Sequence, residues 1–153
     1  MKPGIPESEG PLFNPPALRK DVEVFKVQDN VYFQVYWKQY GEGKGPAVIL
    51  YLFGIESIKF DLYGKGAGHF HVNPNNPESG NANLLWLPED DANRQVRRAV
   101  FELKHNIYFY LQRNVDRRIR ELRIDASRWD AALVAIESKV LDILATVPQL
   151  RDV

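Results

Sequence analysis

The sequence predicts an α+β fold: an antiparallel β-meander of about five strands, followed by a C-terminal helical hairpin packed on one sheet face. Two observations carry this expectation. Between residues 21 and 72, short β-branched and aromatic runs are separated by Gly and Asp/Asn turn signals. After Pro88 the apolar spacing changes from every second residue to every third or fourth, and holds to Leu144. The length of 153 residues fits one domain with one core.

Five of the ten prolines fall within residues 1–20 (Pro3, Pro6, Pro11, Pro15 and Pro16). Proline has no amide donor for a helix or sheet interior, so this stretch reads as an extended arm with Leu12 and Phe13 as its anchors. The domain proper is expected over 21–150. Val22 and Val24 mark the first strand, and Asp29-Asn30 the turn to the second, Val31–Tyr40. On that strand Val31, Phe33, Val35 and Trp37 share one face, and Tyr32, Gln34, Tyr36, Lys38 and Tyr40 the other. Aromatics on both faces predict cover on both sides.

Residues 41–45 form a glycine-rich hairpin connection, and Ala47–Phe53, apolar throughout, is the central strand. Ser57–Tyr63 alternates apolar and polar residues, Gly64–Gly68 makes a turn, and His69–Val72 is a short fifth strand. An irregular loop over 73–83 precedes a little extended structure at Leu84–Leu87. Pro88, Glu89, Asp90 and Asp91 signal helix entry, with acid at the positive end of the dipole. The stripe Val96, Val100, Leu103, Ile107, Leu111, Val115, Ile119, Leu122 predicts one long helix, or two nearly collinear ones broken near Asn114. Asp125 or Ser127 caps a last helix with the stripe Trp129, Ala132, Leu133, Ile136, Val140, Ile143, Leu144, ended by Pro148. The two helices are expected to lie antiparallel.

Composition removes whole classes of function. The absence of cysteine excludes disulfides, thiolate metal sites, iron–sulfur clusters and cysteine nucleophiles, and favours a reducing, cytoplasmic location. Twenty basic and twenty acidic residues exclude a uniformly basic nucleic-acid surface. The first ten residues have no apolar core of a secretory signal, and the longest apolar run, Ala47–Phe53, is too short for a bilayer, so no membrane partner is expected.

The most chemical segment is His69-Phe70-His71. Residues two apart on a strand point the same way, which brings the imidazoles within about 7 Å. Closing 57–63 on 69–72 over Gly64–Gly68 sets Leu62 opposite Phe70 and Phe60 opposite Val72. The same register sets Asp61 opposite His71 and Tyr63 opposite His69. Asp61, Tyr63, His69 and His71 then form a ligand-binding cluster on one face. Asp61, His69 and His71 suit a divalent metal as oxygen and nitrogen ligands, with Asn73 or Glu78 completing the set. The competing expectation is a polar sheet face in which Asp61 pairs with His71 and Tyr63 stacks on His69.

The His-x-His strand with its flanking glycines and later Glu78 resembles cupins, but Glu78 lies far from His71 and no second such motif follows. The alternation of His with apolar residues is similar to histidine-triad hydrolases, with Asn73 at the third position. From Phe60 to about Leu111, a Phe-Asp strand before a His-x-His segment and a helix is similar to small bacterial toxin-like proteins.

Gly64-Lys65-Gly66-Ala67-Gly68 offers backbone donors to an anion, but it opens a strand rather than a helix, which points to a plain hairpin loop. His105 falls mid-helix among aromatics and reads as a half-buried, satisfied ring. Residues 94–128 carry ten basic and four acidic groups, +6 against −6 for the remainder. A solvated face with internal pairs such as Arg117–Glu121 explains this without a nucleic-acid partner, which is not favoured. The leading expectation is a non-enzymatic binding or assembly domain, a homodimer. The second is a metal-dependent hydrolase or nuclease using Asp61, His69 and His71. The third is a nucleic-acid-contacting module using the Arg-rich helix.

Overall fold

Six extended segments pair in chain order in the computed structural model, which describes residues 18–40, 43–78 and 83–153. They are β1 (Lys20–Gln28), β2 (Val31–Tyr40), β3 (Gly43–Leu52), β4 (Ile55–Asp61), β5 (His69–Val72) and β6 (Leu84–Trp86). Every neighbouring pair is antiparallel. The expected meander is therefore present, with Leu84–Trp86 as a sixth strand on the far edge. Most of the expected N-terminal arm (residues 1–17) and part of the first glycine-rich connection (41–42) lie outside the described residues.

Period-two alternation gives the sheet two unlike faces. One is apolar from strand to strand: Val35 pairs with Val48, Val48 with Phe60, and Phe60 with Phe70. Phe33, Leu50, Ile58 and Val72 make the next row, and all of these residues are buried. The opposite face carries the row Tyr36, Ala47, Asp61, His69, Trp86 and, beside it, Gln34, Ile49, Lys59, His71, Leu84. Tyr36, Ala47, Ile49 and Tyr51 form a small apolar cluster of their own on this face. In β1 the residues that join the main core are Phe25 and Val27, whereas Val22 and Val24, which mark this strand in the sequence, are exposed.

The helices lie on the apolar face. The sequence stripe after Pro88 predicts one helix or two. The structure has three pieces: α1 (Ala92–His105), α2 (Ile107–Leu111) and α3 (Arg117–Arg120). Asp91 caps α1 by accepting from the amide of Arg94. The helix, though not the apolar stripe, is interrupted at Asn106, whose amide nitrogen donates to the Glu102 carboxylate (2.7 Å). The second break, at Asn114, is held from outside the helices. Asn73 and Asn76, just after β5, donate to the Tyr110 and Arg113 carbonyls at 2.8 Å each, and Asn76 accepts from the Val115 amide at 2.7 Å. These side chains satisfy the end of α2 that no further turn reaches, and Val115 is left exposed instead of joining the stripe.

The last helix, α4 (Ala126–Thr146), is capped by Asp125 and buries Trp129, Ala132, Leu133, Ile136, Val140 and Ile143. Its packing on α1 is antiparallel. Near the start of α4, Trp129 Nε1 donates to the carbonyl of Leu103, close to the end of α1 (3.0 Å). At the other end, Gln95 near the start of α1 bonds Gly64, against which Val153 packs. Among the described residues no helix is long and apolar enough to cross a membrane.

Candidate metal centre

The hairpin from β4 to β5 decides which polar side chains meet. The sequence-based register sets Asp61 opposite His71. In the structure Asp61 pairs with His69, Lys59 with His71, and Phe60 with Phe70. The slip is two residues, so every side chain keeps its face while changing its partner. The cause is a longer connection than Gly64–Gly68. After Asp61 the chain leaves β5, and the Leu62 amide bonds back to Pro46 of β3 (2.9 Å). Gln95 reaches into the turn, accepting from the Gly64 amide (2.9 Å) and donating to the Gly64 carbonyl (2.7 Å). A Cβ on Gly68 would collide with the same Gln95 side chain. The glycine segment is thus a hairpin loop whose backbone is engaged by Gln95.

The convergence of Asp61, Tyr63, His69 and His71 on one side is present. Asp61 Oδ2 lies 3.1 Å from His71 Nε2 and 3.2 Å from His69 Nε2. The two rings stand edge to face, with centroids 4.9 Å apart. Tyr63 donates its hydroxyl to Asp61 Oδ1 (2.9 Å) and sets its ring edge against His69, so it positions the carboxylate rather than adding a ligand. Two buried cations complete the surroundings. Lys38 Nζ is 3.8 Å and Lys59 Nζ 3.9 Å from Asp61 Oδ1. The carboxylate is therefore divided, with one oxygen facing ammonium and phenol and the other facing both imidazoles.

This division governs the ionisation. Burial alone would push the Asp61 carboxyl up, but Lys59, the hydrogen bonds from His69 and His71, and Lys38 together hold it well below the usual carboxylate range. Burial disfavours the His69 imidazolium, yet the hydrogen bond and charge of Asp61 and the Ala67 carbonyl outweigh it and raise that ring above its ordinary value. Burial lowers Lys38 to about 8 against the pull of Asp61.

His69 Nδ1 lies 2.8 Å from the Ala67 carbonyl oxygen, which only accepts, so that nitrogen carries a proton. Its Nε2 can then face Asp61 in two ways: protonated, as an imidazolium, or with a bare lone pair directed at a cation. A backbone carbonyl on the far nitrogen is the arrangement that orients a metal-ligating histidine. Zinc bonds of about 2.0–2.1 Å to each ligand put neighbouring ligand atoms of a tetrahedral site about 3.3 Å apart, close to the two separations observed. The three ligand atoms of Asp61, His69 and His71 all lie within 4.8 Å of one another. His71 has no such anchor, since its buried Nδ1 has no hydrogen-bond partner among the described residues.

Other sequence-derived candidates are placed elsewhere. Asn73 is buried, with its amide bound to Tyr110 and Asn114, and Glu78 is exposed and outside the group, so neither completes the ligand set. His105 is exposed, its ring resting on Phe101 at 4.7 Å, rather than half-buried. Lys38 and Lys59 are neighbours of Asp61 that sequence reasoning missed. Alternation puts both on the polar face, but nothing in the sequence signals that a lysine there is buried. Trp86 was likewise invisible as a neighbour. It pairs with His69 across β5 and β6, and its ring centroid is 5.4 Å from the imidazole. No known protein family, characterised protein or solved structure matches the chain.

Proposed function

We propose that the protein is a divalent-metal-binding domain of hydrolytic type, in which Asp61, His69 and His71 hold a zinc-like ion. The observation that carries this reading is the shared oxygen: one buried carboxylate atom sits 3.1 and 3.2 Å from two imidazole nitrogens, and one of those rings is anchored through its other nitrogen. Two nitrogens and one oxygen suit zinc-like ions better than magnesium or calcium, which prefer oxygen alone. Three protein ligands leave a fourth position for water, the pattern of catalytic rather than structural sites. A metal there lowers the pKa of bound water to about 7 and supplies a nucleophile at neutral pH. The chain's own contribution is positional. Tyr63, Lys38 and Lys59 occupy one oxygen of Asp61 and leave the other for the ion. His69, the most open of the three at 16% side-chain exposure, sets the side from which solvent reaches the centre.

This reading moves ahead of the assembly domain favoured by sequence alone because the side chains converge at ligand distances. The test is metal content. Protein stripped with chelator, incubated with zinc and desalted is expected to retain one zinc per chain by mass spectrometry. His69→Ala and His71→Ala, checked for native circular dichroism, are expected to retain none. Equal, sub-stoichiometric zinc in the parent and both variants overturns the proposal.

A further inference from the structure

We infer that the outer face of α1 and α2 is a binding surface for single-stranded nucleic acid, independent of the metal centre. Three large aromatic side chains stand on this face in solvent: Phe101 at 49%, Tyr108 at 47% and Phe109 at 56% exposure. The core does not need them, because Val96, Leu103, Ile107 and Leu111 supply the buried stripe of the same helices. Arg97, Lys104 and Arg113 lie among them, all exposed, and none forms an ion pair among the described residues.

The rings are held rather than loose. The Tyr108 hydroxyl accepts from the Ile124 amide (3.1 Å), Phe101 packs on His105, and the Arg113 guanidinium lies 4.4 Å from the Phe109 ring centre. Phe101 stands on α1 and Phe109 eight residues on in α2, beyond the break at Asn106, so the two rings offer separate platforms for stacked bases. The charge on the face is of one sign. Between Ala92 and Arg113 the only acid is Glu102. It is buried and bound by Asn106 and Tyr110, so it does not reach the outer surface.

Aromatic faces interleaved with cations match the two needs of a single strand: bases to stack and phosphates to neutralise. A duplex hides its base faces and meets only the cations. Further along the Arg-rich stretch, Arg117 and Arg118 are paired with Glu121 and Asp116 at 2.9 and 2.7 Å. Those two cations are already engaged, unlike Arg97, Lys104 and Arg113 beside the exposed rings.

The experiment is fluorescence anisotropy of the full chain with labelled twelve-nucleotide oligo-dT, oligo-U and a duplex of equal length, at two salt concentrations. Salt-dependent binding of both single strands is expected, with the duplex about tenfold weaker, and the dT and U arms separate DNA from RNA. Phe101→Ala with Phe109→Ala is expected to weaken binding about tenfold or more, in line with the cost of losing base stacking. Arg97→Gln, Lys104→Gln and Arg113→Gln together are expected to flatten the log–log salt slope by about 2. All five side chains are exposed, so unchanged melting temperatures are expected to accompany these losses. No salt-dependent binding, or equal affinity in the parent and the aromatic variant, overturns the inference. Light scattering that shows a dimer abolished by the aromatic substitutions, without oligonucleotide binding, also overturns it and assigns the face to a second copy of the chain.

Discussion

Asp61 is a carboxylate enclosed by protein that remains ionised because positive and hydrogen-bonding groups surround both oxygens. Asp61→Asn keeps the shape and removes the charge that Lys38, Lys59 and His69 face. Breaking a buried ion pair from one side costs about 3–5 kcal/mol, and urea unfolding of metal-free protein is expected to show a loss in that range. The pH dependence has a defined sign. The folded pKa of Asp61 lies below the unfolded value, so its contribution is complete above the ordinary carboxylate range and is lost as pH falls through the folded value. His69 is shifted the other way, so its contribution is complete below its ordinary value and is lost as pH rises through the raised one. Asp61→Asn is expected to flatten both limbs together, and two unchanged limbs would show that the pairing is not energetically significant. The shared face of Asp61, His69 and His71 was legible because alternation alone fixes it. The burial of Lys59 was not, since lysine is almost never fully buried and pattern alone carries no depth.

At the level of elements, the β4–β5 connection meets a residue from another part of the chain. Parity could distinguish the apolar from the polar face, but a slip of two residues preserves parity and was invisible to it. Gln95, more than thirty residues from Gly64, engages that glycine's amide and carbonyl in the connection between the two strands. Gly68→Ala sets a methyl group where the Gln95 amide lies. Displacing Gln95 leaves buried polar groups unsatisfied, which costs about 1–3 kcal/mol. A matching fall in thermal stability is expected, together with weaker zinc retention as β5 shifts against β4. A variant with parental stability and parental zinc content would assign the register to the strands alone. The helical region was less legible than the sheet. The apolar stripe continues through Asn106 and Asn114, and their side-chain bonds to Glu102 and to the loop after β5 are tertiary facts that periodicity does not contain.

Across the whole molecule, the order of strands before helices and the antiparallel meander were legible because local patterns set them. The division of labour between sheet faces was only half legible. Aromatics on both faces of β2 predicted cover on both sides, and Phe33 and Tyr36 are indeed both buried, but the ionic character of the second face emerged only from the pairing of five strands. The row from Tyr36 through Ala47, Asp61 and His69 to Trp86 has a mechanical consequence. The two outermost strands on that side are short, β5 with four residues and β6 with three. If Asp61 on β4 and both histidines on β5 hold an ion as proposed, that ion staples this margin to the rest of the sheet. At a hundredfold excess over its dissociation constant it adds about 2.7 kcal/mol to the folded state. Amide hydrogen exchange is therefore expected to quicken on chelation at Phe70, Val72 and Leu85 while β2 and β3 stay protected, so that loss of the ion frays the sheet from one side.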